Sequence, residues 1–347
     1  MDSISGQEYV IYFHHDVLIQ LEILYKKIEV ISTSQSFAPL SYPPATQSGS
    51  AALDLAHYFS PTTVWVDAWY SSDSSVPPPL IGGKNHTHVM SWMTTGYHKA
   101  INIGVLFSDL SVFWGTVEFV TTSPKDPKTT KRSARYLRCP DALPREILIE
   151  AHEAYGDTIA LFAESYLNTG QVCARGECWD LANEGLKYCA NLDYIPKPVL
   201  STSCTHGHLI YEARAKDHGK KMEGRWRGGD DRIRRGDIVQ WKNARLGAGN
   251  GGYFIMGNPD HTSIVSSDVI PKDSPIDGES FNPANVGIVS VVEQSPGKLP
   301  KRADYDLRCF EEGELWVYRP ISMEVYLGIT ELSAEAPVNH KRLETLS

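Results

Sequence analysis

Alternating apolar and polar residues mark the first half of the chain as rich in β-strands. Residues 63–70, 91–97, 99–107 and 111–120 carry apolar, β-branched and aromatic side chains, and turn-forming residues separate the runs. Because these runs follow closely on one another, they predict an antiparallel β-layer. The Ser-, Pro- and Gln-rich residues 34–49 before them predict a linker.

The middle of the chain changes to a helical periodicity. Residues 143–154 and 157–167 predict two helices, with a break at Tyr155-Gly156. A further helix is predicted to begin at Cys178, because the apolar residues from Leu181 onwards recur at three- and four-residue steps. Later apolar runs predict strands near residues 209–211, 237–241, 261–265, 286–292 and 315–318. A helix packed on an antiparallel sheet is an α+β fold.

Cys178 is the first candidate for chemistry, because it stands where a turn-prone loop leads into the predicted helix. The first turn of a helix presents unpaired N–H groups and the positive end of the macrodipole, and both favour a thiolate. A buried structural cysteine is the alternative, and the residue type alone favours it.

His261 and Glu293 supply the partners that a nucleophilic thiol needs. His261 opens a predicted strand and can act as a general base or pair with the thiolate as imidazolium. Glu293 or Gln294, at the end of a later strand, can accept a hydrogen bond from the imidazole and fix its tautomer. Taken singly, an ordinary strand-end histidine and a surface carboxylate are the alternatives. The ordered set of three is the stronger signal, since such partners meet only through the fold.

Four strings resemble the CHAP-type amidases and the wider NlpC/P60 group of papain-like cysteine hydrolases. They read CWDLA at 178–182, GDIV at 236–239, HTSIV at 261–265 and VEQS at 292–295. The resemblance implies that Cys178 is the nucleophile, His261 the base and Glu293 the residue that orients the base. Gln294 and Ser295 are the supporting candidates, and Ser295 stands where that group has Asn.

A closer resemblance is to the cysteine-proteinase-fold domain of fungal cortical actin-patch adaptors, which interact with myosin tails. It rests on GECWDLAN at 176–183, HG at 206–207, RGDIVQ at 235–240, DHT at 260–262 and GELWVYRP at 313–320. It covers about residues 60–322 and implies protein or peptide partners, among them cortical actin or myosin-associated proteins. It also implies that His206 lines the active cleft as a supporting residue.

Composition argues against several classes of protein. The formal net charge is −9, whereas nucleic-acid binders and binders of anionic membranes usually carry a basic excess. The basic run at residues 125–138 is predicted to be a solvated loop. No secretory signal is evident, and charges interrupt the apolar stretch 9–31, which argues against a membrane span. Six scattered cysteines do not fit a disulfide framework, so a cytoplasmic location is expected, and the resemblance to actin-patch adaptors implies the cell cortex within it.

Cys204, His206 and His208 superficially resemble a zinc site. The usual Cys-x-x-Cys and Cys-x-x-His pairs are missing there, so no metal is expected. Thiol-based acyl chemistry needs no cofactor, and none is predicted.

The predicted organisation has three parts. They are an N-terminal helix and linker at residues 1–50, a cysteine-proteinase-fold domain at 60–322 and a flexible tail at 333–347. Within the domain, residues 60–142 form the β-rich part and 143–322 the catalytic-like core. The predicted function is that of a cysteine amidase or peptidase acting through a thioester. A catalytically idle scaffold that binds proteins of the cortical actin machinery is the alternative, and a redox or acyl-carrier thiol is a third reading.

Overall fold

The computed structural model describes residues 39–72, 75–248 and 251–346, and within them twelve strands form two antiparallel sheets. The strands are β1 His86–Thr95, β2 His98–Phe107, β3 Val112–Val120, β4 Lys131–Leu137, β5 His208–Lys216, β6 Lys221–Trp226, β7 Ile238–Gly247, β8 Tyr253–Val265, β9 Ile288–Ser295, β10 Lys298–Asp306, β11 Phe310–Arg319 and β12 Glu344–Thr345. The helices are α1 Ala51–Tyr58, α2 Arg145–Glu164, α3 Cys178–Ala190, α4 Pro283–Val286 and α5 Met323–Leu327.

The first sheet has the strand order β1-β2-β3-β4-β12, and the second has the order β10-β9-β8-β7-β11-β5-β6. Both sheets are antiparallel throughout, and helices pack against them, so the predicted α+β class and the β-layer before the cysteine helix are confirmed. The helix predicted over the first thirty-three residues lies outside the described part of the chain.

Helix α1 closes the inner face of the first sheet. The Ser50 hydroxyl accepts from the Leu53 amide, while Asp109 and Ser111, in the turn between β2 and β3, accept from the first two amides of the helix. These bonds satisfy N–H groups that a helix start leaves unpaired. The buried residues of the helix then pack on one face of β2 and β3 to form the first core, whose members include Ala52, Leu53, Leu55, Ala56, Ile101, Ile103, Phe113 and Val117.

The strand predicted at residues 63–70 is wrong. These residues form bends and a 3₁₀ turn at Trp69–Ser71. Val64 and Val66 are 85% and 92% exposed, while the aromatic residues between and after them pack on α1. An irregular segment that buries every second side chain against a helix shows the same alternation as a strand with one buried face. The alternation in residues 63–70 therefore does not distinguish the two.

The basic run at residues 125–138, predicted as a solvated loop, contains strand β4. Its alternate residues Ala134 and Tyr136 face the first core, and Arg132 stacks on Trp65 with its guanidinium carbon 4.5 Å from the ring centre. The strand signal was hidden because long basic side chains cover apolar surface while their charged ends stay in water.

Helix α2 runs without a break through Tyr155-Gly156, where two helices were predicted. Gly156 instead allows the turn at Arg235 to approach the helix, because a Cβ on Gly156 would lie 2.7 Å from the Arg235 carbonyl oxygen. The approach is also close from the side of the turn, since a Cβ on Gly236 would lie 2.1 Å from the Gly156 carbonyl oxygen. Arg235 fixes this approach by ion pairs with Glu164 and Asp157 of the helix, at 2.7 and 3.0 Å.

Helix α3 packs on the second sheet and on α2. Its apolar face, α2 and the facing strand residues form one core, which consists of Tyr155, Ile159, Ala163, Cys173, Leu181, Ala182, Leu186, Cys189, Ile238, Ile264 and Val292. This is the face that the three- and four-residue spacing predicted. It holds the first turn of α3 beside the end of β8.

A buried ion cluster joins two of the strings on which the family resemblance rests. Arg319 is fully buried, and its Nε and Nη2 donate to the two carboxylate oxygens of Asp237 at 2.9 and 2.8 Å. Its Nη1 bonds Asp230, which also pairs with Arg234 at 2.6 Å. Burial raises the pKa of Asp237 despite Arg319, whereas Arg234 and Arg319 outweigh burial and lower that of Asp230. The Gly-Asp-Ile-Val and Tyr-Arg-Pro strings are therefore tied to each other through the core.

Both segments that were predicted to be loosely attached contact the sheets. Tyr42, in the predicted linker, donates from its hydroxyl to the Thr202 carbonyl and packs edge-on against Trp316. In the predicted tail, Glu344 accepts from Tyr136 at 2.9 Å while its backbone pairs with β4. Residues Pro39–Ser347 thus form one compact unit, wider than the predicted 60–322.

Candidate active site

Cys178 is the first residue of α3, and a tight loop before it sets its position. Gly176 has a φ of 83°, in the left-handed region that favours glycine. The Asp180 carboxylate then accepts from the backbone amides of Arg175 and Glu177 at 2.9 and 3.1 Å. The helix start is thereby held by its own third residue, and Glu177 lies exposed at the N-cap.

Gln294 joins this loop to strand β9. Its Oε1 accepts from the Cys173 amide at 3.0 Å, and its Nε2 donates to the carbonyls of Cys173 and Glu177 at 3.1 and 2.8 Å. The side chain is buried and uses both ends of its amide. Gln294 therefore positions the start of α3 and does not contact the imidazole, which was one of the two options left open by the sequence.

Glu293, the next residue back along β9, is the group that contacts the histidine. Its Oε2 lies 2.7 Å from His261 Nε2, and its Oε1 accepts from the Tyr305 hydroxyl at 2.8 Å. The Lys301 ammonium lies 3.2 Å from the same Oε1. Burial alone would raise the pKa of Glu293, but these donors and charges outweigh it and lower the pKa below its usual value.

The His261 ring has Glu293 on one nitrogen and Cys178 on its other side. Burial alone would lower the pKa of His261, but hydrogen bonding to Cys178 and Glu293, with their charges, raises it to about 9. Because Nε2 faces Glu293, Nδ1 is the nitrogen left for the thiol. The Cys178 sulfur also lies 4.0 Å from the Asp260 carbonyl oxygen.

This arrangement can store a proton on the imidazole at neutral pH. A pKa near 9 leaves His261 as an imidazolium beside the sulfur, which is the partner that a thiolate needs. Cys178 is half-buried, so one side of the sulfur faces solvent. Its backbone N–H is the first of α3, one of the helix-start amides without an intrahelical acceptor, so it is available as a hydrogen-bond donor beside the sulfur.

His206 does not line an open cleft, because its side chain is fully buried. Its Nδ1 lies 2.8 Å from the Ser201 hydroxyl, and its Nε2 lies 3.4 Å from Gln240 Oε1, which also accepts from Thr262. Burial lowers the pKa of His206 to about 4, so the ring is neutral. It supports the strand that carries His261 from behind.

Ser295 ends β9 and pairs with Lys298 at the turn into β10. It is half-buried, and its position next to Gln294 keeps it beside the loop that precedes α3. The role predicted for it stays a prediction.

Three residues near the site were missed from the sequence. Tyr305 and Lys301 come from β10, and no spacing or motif in that strand points to a carboxylate partner. Cys204 lies 3.9 Å from the Asp260 carboxylate, and burial together with that charge raises the pKa of its thiol to about 11. Cys204 is thus kept as a thiol close to the residue that precedes His261.

The described residues were also compared with the requirements of a metal site and of a membrane-spanning helix. Within the described residues, no group of three or more His, Cys, Asp and Glu side chains could hold a metal ion. In the same part of the chain, no helix has the length and apolar character needed to cross a bilayer.

Comparison with known proteins gives a family for this fold. The AIM3/BBC1 cysteine proteinase-fold domain family matches residues 133–331, more than half of the chain. Altered inheritance of mitochondria protein 3 of Debaryomyces hansenii is 26% identical over 290 residues, which cover 80% of this chain and 28% of that protein. The chain thus spans less than a third of the length of this relative. No solved structure matches. The fungal cysteine-proteinase-fold resemblance drawn from the sequence is confirmed, and the chain belongs to the AIM3/BBC1 family of cysteine proteinase-fold domains.

Proposed function

We propose that this domain is a cysteine hydrolase that cleaves an amide or ester of a protein or peptide through a thioester. The observation that supports it is the chain of contacts from Glu293 to His261 to Cys178, with the pKa of His261 raised to about 9. An ordinary buried histidine has its pKa lowered, as His206 and His208 do. In this proposal the catalytic unit spans residues 60–322, with the core at 143–322.

The reaction uses the groups in a fixed order. The Cys178 thiolate attacks the carbonyl carbon, and the oxyanion accepts a hydrogen bond from the Cys178 amide, a donor worth about 3 kcal/mol of barrier. The bond to the leaving group breaks as His261 Nδ1 gives its proton to the departing amine or alcohol. Neutral His261 then takes a proton from water, whose oxygen attacks the thioester carbon. The sulfur leaves as thiolate, and the ion pair is restored.

The test is labelling with iodoacetamide near neutral pH. The proposal expects Cys178 to react about tenfold faster than a free thiol, because its thiolate is paired with an imidazolium. The His261→Ala variant should lose this advantage, while His98→Ala, which removes an exposed histidine elsewhere, should keep it. Cys178→Ser identifies the labelled site, and Cys139→Ser controls for the exposed cysteine.

The second candidate is a catalytically idle scaffold that binds proteins of the cortical actin or endocytic machinery. The observation that favours it is the matched relative, whose name gives a phenotype in mitochondrial inheritance and no reaction, and of which this domain is a small part. In this reading the domain works in the cytoplasm at the cell cortex. Labelling of Cys178 no faster than a free thiol and unchanged in His261→Ala would support the scaffold and refute the hydrolase.

A further inference from the structure

Strand β1 is a long sheet edge on which no other described segment of the chain lies. Within the described ranges it pairs with β2 alone, and its ten residues keep a continuous register from His86 to Thr95 without a bulge. Among the described residues, no backbone hydrogen bond outside that ladder involves this strand. Val89, Trp92 and Met93 are 40%, 53% and 68% exposed. Such an edge offers a row of unpaired amides and carbonyls together with apolar side chains.

The other three sheet edges within the described residues are protected. Strand β10 carries Pro300, two lysines and an arginine, and its register shifts between Lys298 and Lys301. Strand β6 alternates charged residues and is covered by the segment at Ser280 and Phe281, whose backbone pairs with it. Strand β12 has two residues. Proline, charge, irregular register, cover and shortness are the usual devices against edge pairing, and β1 has none of them.

We propose that β1 is a self-association edge, which pairs antiparallel with β1 of a second copy of this chain about a two-fold axis through Ser91. Because side chains alternate between faces, a two-fold axis perpendicular to the sheet pairs residues of the same parity. With Ser91 opposite Ser91, Met90 faces Trp92 of the second copy and Val89 faces its Met93. Thr87 then faces Thr95, and alternate pairs exchange two backbone hydrogen bonds.

This register matches the apolar residues of the strand on both faces at once. Met90 and Trp92 lie on the face that carries Ile103 and Ile101 of β2, so their cross-strand contact extends that core. Val89 and Met93 meet on the opposite face, beside Gly104 and Ala100. Apolar cross-strand pairs are what stabilise a sheet, and all four exposed or half-buried apolar residues of β1 are used.

Charge favours a second copy over a different peptide. Residues 86–95 contain no Asp, Glu, Lys or Arg, so two copies approach without repulsion along the edge. A peptide chosen by charge would find nothing to recognise on this strand. Pairing also uses up both edges, so assembly stops at a dimer with one ten-stranded sheet.

The first experiment measures mass against concentration by sedimentation. The unchanged chain is expected to move from monomer to dimer as concentration rises, with no larger species. Trp92→Lys with Met93→Lys should weaken the dimer by about tenfold or more, because it places four like charges at the joint. Tyr97→Lys is the matched control: Tyr97 is 70% exposed but lies in the turn after the strand, and the dimer should persist.

The second experiment tests the register itself. Under mild oxidation, Ser91→Cys should form a disulfide-linked dimer, since residue 91 faces its own copy at the axis. Thr95→Cys, on the same face and more exposed than Ser91, should not, because Thr95 faces Thr87. The proposal is overturned if the chain stays monomeric at every concentration. Binding of an extended segment of another protein to β1 would not rescue it, because the proposed occupant is a second copy of this chain. It is also overturned by a dimer indifferent to the double lysine variant, or by equal cross-linking at positions 91 and 95.

Discussion

Replacing Glu293 by glutamine tests the electrostatic basis of the site without changing its shape. The carboxylate lies 2.7 Å from His261 Nε2, so the two charge centres are about 4 Å apart. At an effective dielectric constant of about 20, that attraction is about 4 kcal/mol, or about three units of pKa. Lys301, at 3.2 Å from the same carboxylate, cancels part of it. We therefore expect the pKa of His261 to fall from about 9 by about two units in Glu293→Gln.

The assay is an NMR titration of labelled histidine, with the His261 signal assigned by its loss in His261→Ala. His206 and His208 serve as internal controls, because burial lowers their pKa to about 4 and about 3 and they stay neutral across the range. Lys301→Met keeps the carboxylate and removes its competing cation, so the pKa of His261 should hold or rise. A His261 pKa that stays within about half a unit in Glu293→Gln would refute the ion-pair account.

The same substitution has a consequence for activity. If the hydrolase proposal holds, protonated His261 supplies the proton for the leaving group, so the rate declines as pH rises through the pKa of His261. The alkaline limb of the pH–rate profile should therefore lie near pH 9 and move down by about two units in Glu293→Gln. If the alkaline limb of the pH–rate profile does not move with the His261 pKa measured by NMR, His261 is not the group that donates the proton in the reaction.

Three further predictions concern stability, measured by urea unfolding. Gly236→Ala should cost about 2–4 kcal/mol, because its Cβ would strike the Gly156 carbonyl at a φ of 84°, whereas Gly297→Ala, with φ 73° and open space, should cost about 1 kcal/mol. Arg319→Met should cost about 3–5 kcal/mol, because it leaves the buried Asp237 carboxylate without its cation while Asp230 keeps only Arg234; Arg308→Met, which removes an exposed ion pair, should change stability far less. The raised pKa of His261 adds stability that is complete below about pH 6.5 and lost as pH rises through about 9, so His261→Ala should flatten that decline. Equal losses of stability for the two glycine variants or for the two arginine variants would contradict these expectations. So would a decline of the unfolding free energy at alkaline pH that is the same in His261→Ala as in the unchanged chain.

The candidate site could be predicted from the sequence because each of its residues lies in a recognisable element. Cys178 opens a helix with a clear apolar face, while His261 and Glu293 lie within strands β8 and β9. The strand that His261 was predicted to open begins earlier, at Tyr253. The prediction that these three residues lie together in the fold rested on the order of their motifs along the chain. The residue pattern alone left open whether Glu293 or Gln294 faces the ring, because that choice depends on the strand face that turns towards His261; only the family resemblance assigned Glu293.

The errors in the predicted fold have a common physical cause. Gly156 looked like a helix end, although its missing side chain makes room for Gly236 of a distant turn. Residues 63–70 looked like a strand, although a helix buries their aromatic side chains. In each case a contact far away in sequence decided the outcome, and local propensity is a weak guide where tertiary contacts dominate.

The link between Asp237 and Arg319 separates ancestry from activity in this family. Losing Arg319 leaves the buried Asp237 carboxylate without its cation, so the stability of the fold depends on both strings whether or not the domain performs a reaction. A descendant that has exchanged Cys178 for an inert residue would still display them and would still be recognised as kin. A comparison of related chains that tests the proposed hydrolase should therefore look for the Cys178 sulfur, the His261 ring and the Glu293 carboxylate, and treat the Asp237–Arg319 pair as evidence of a shared fold alone.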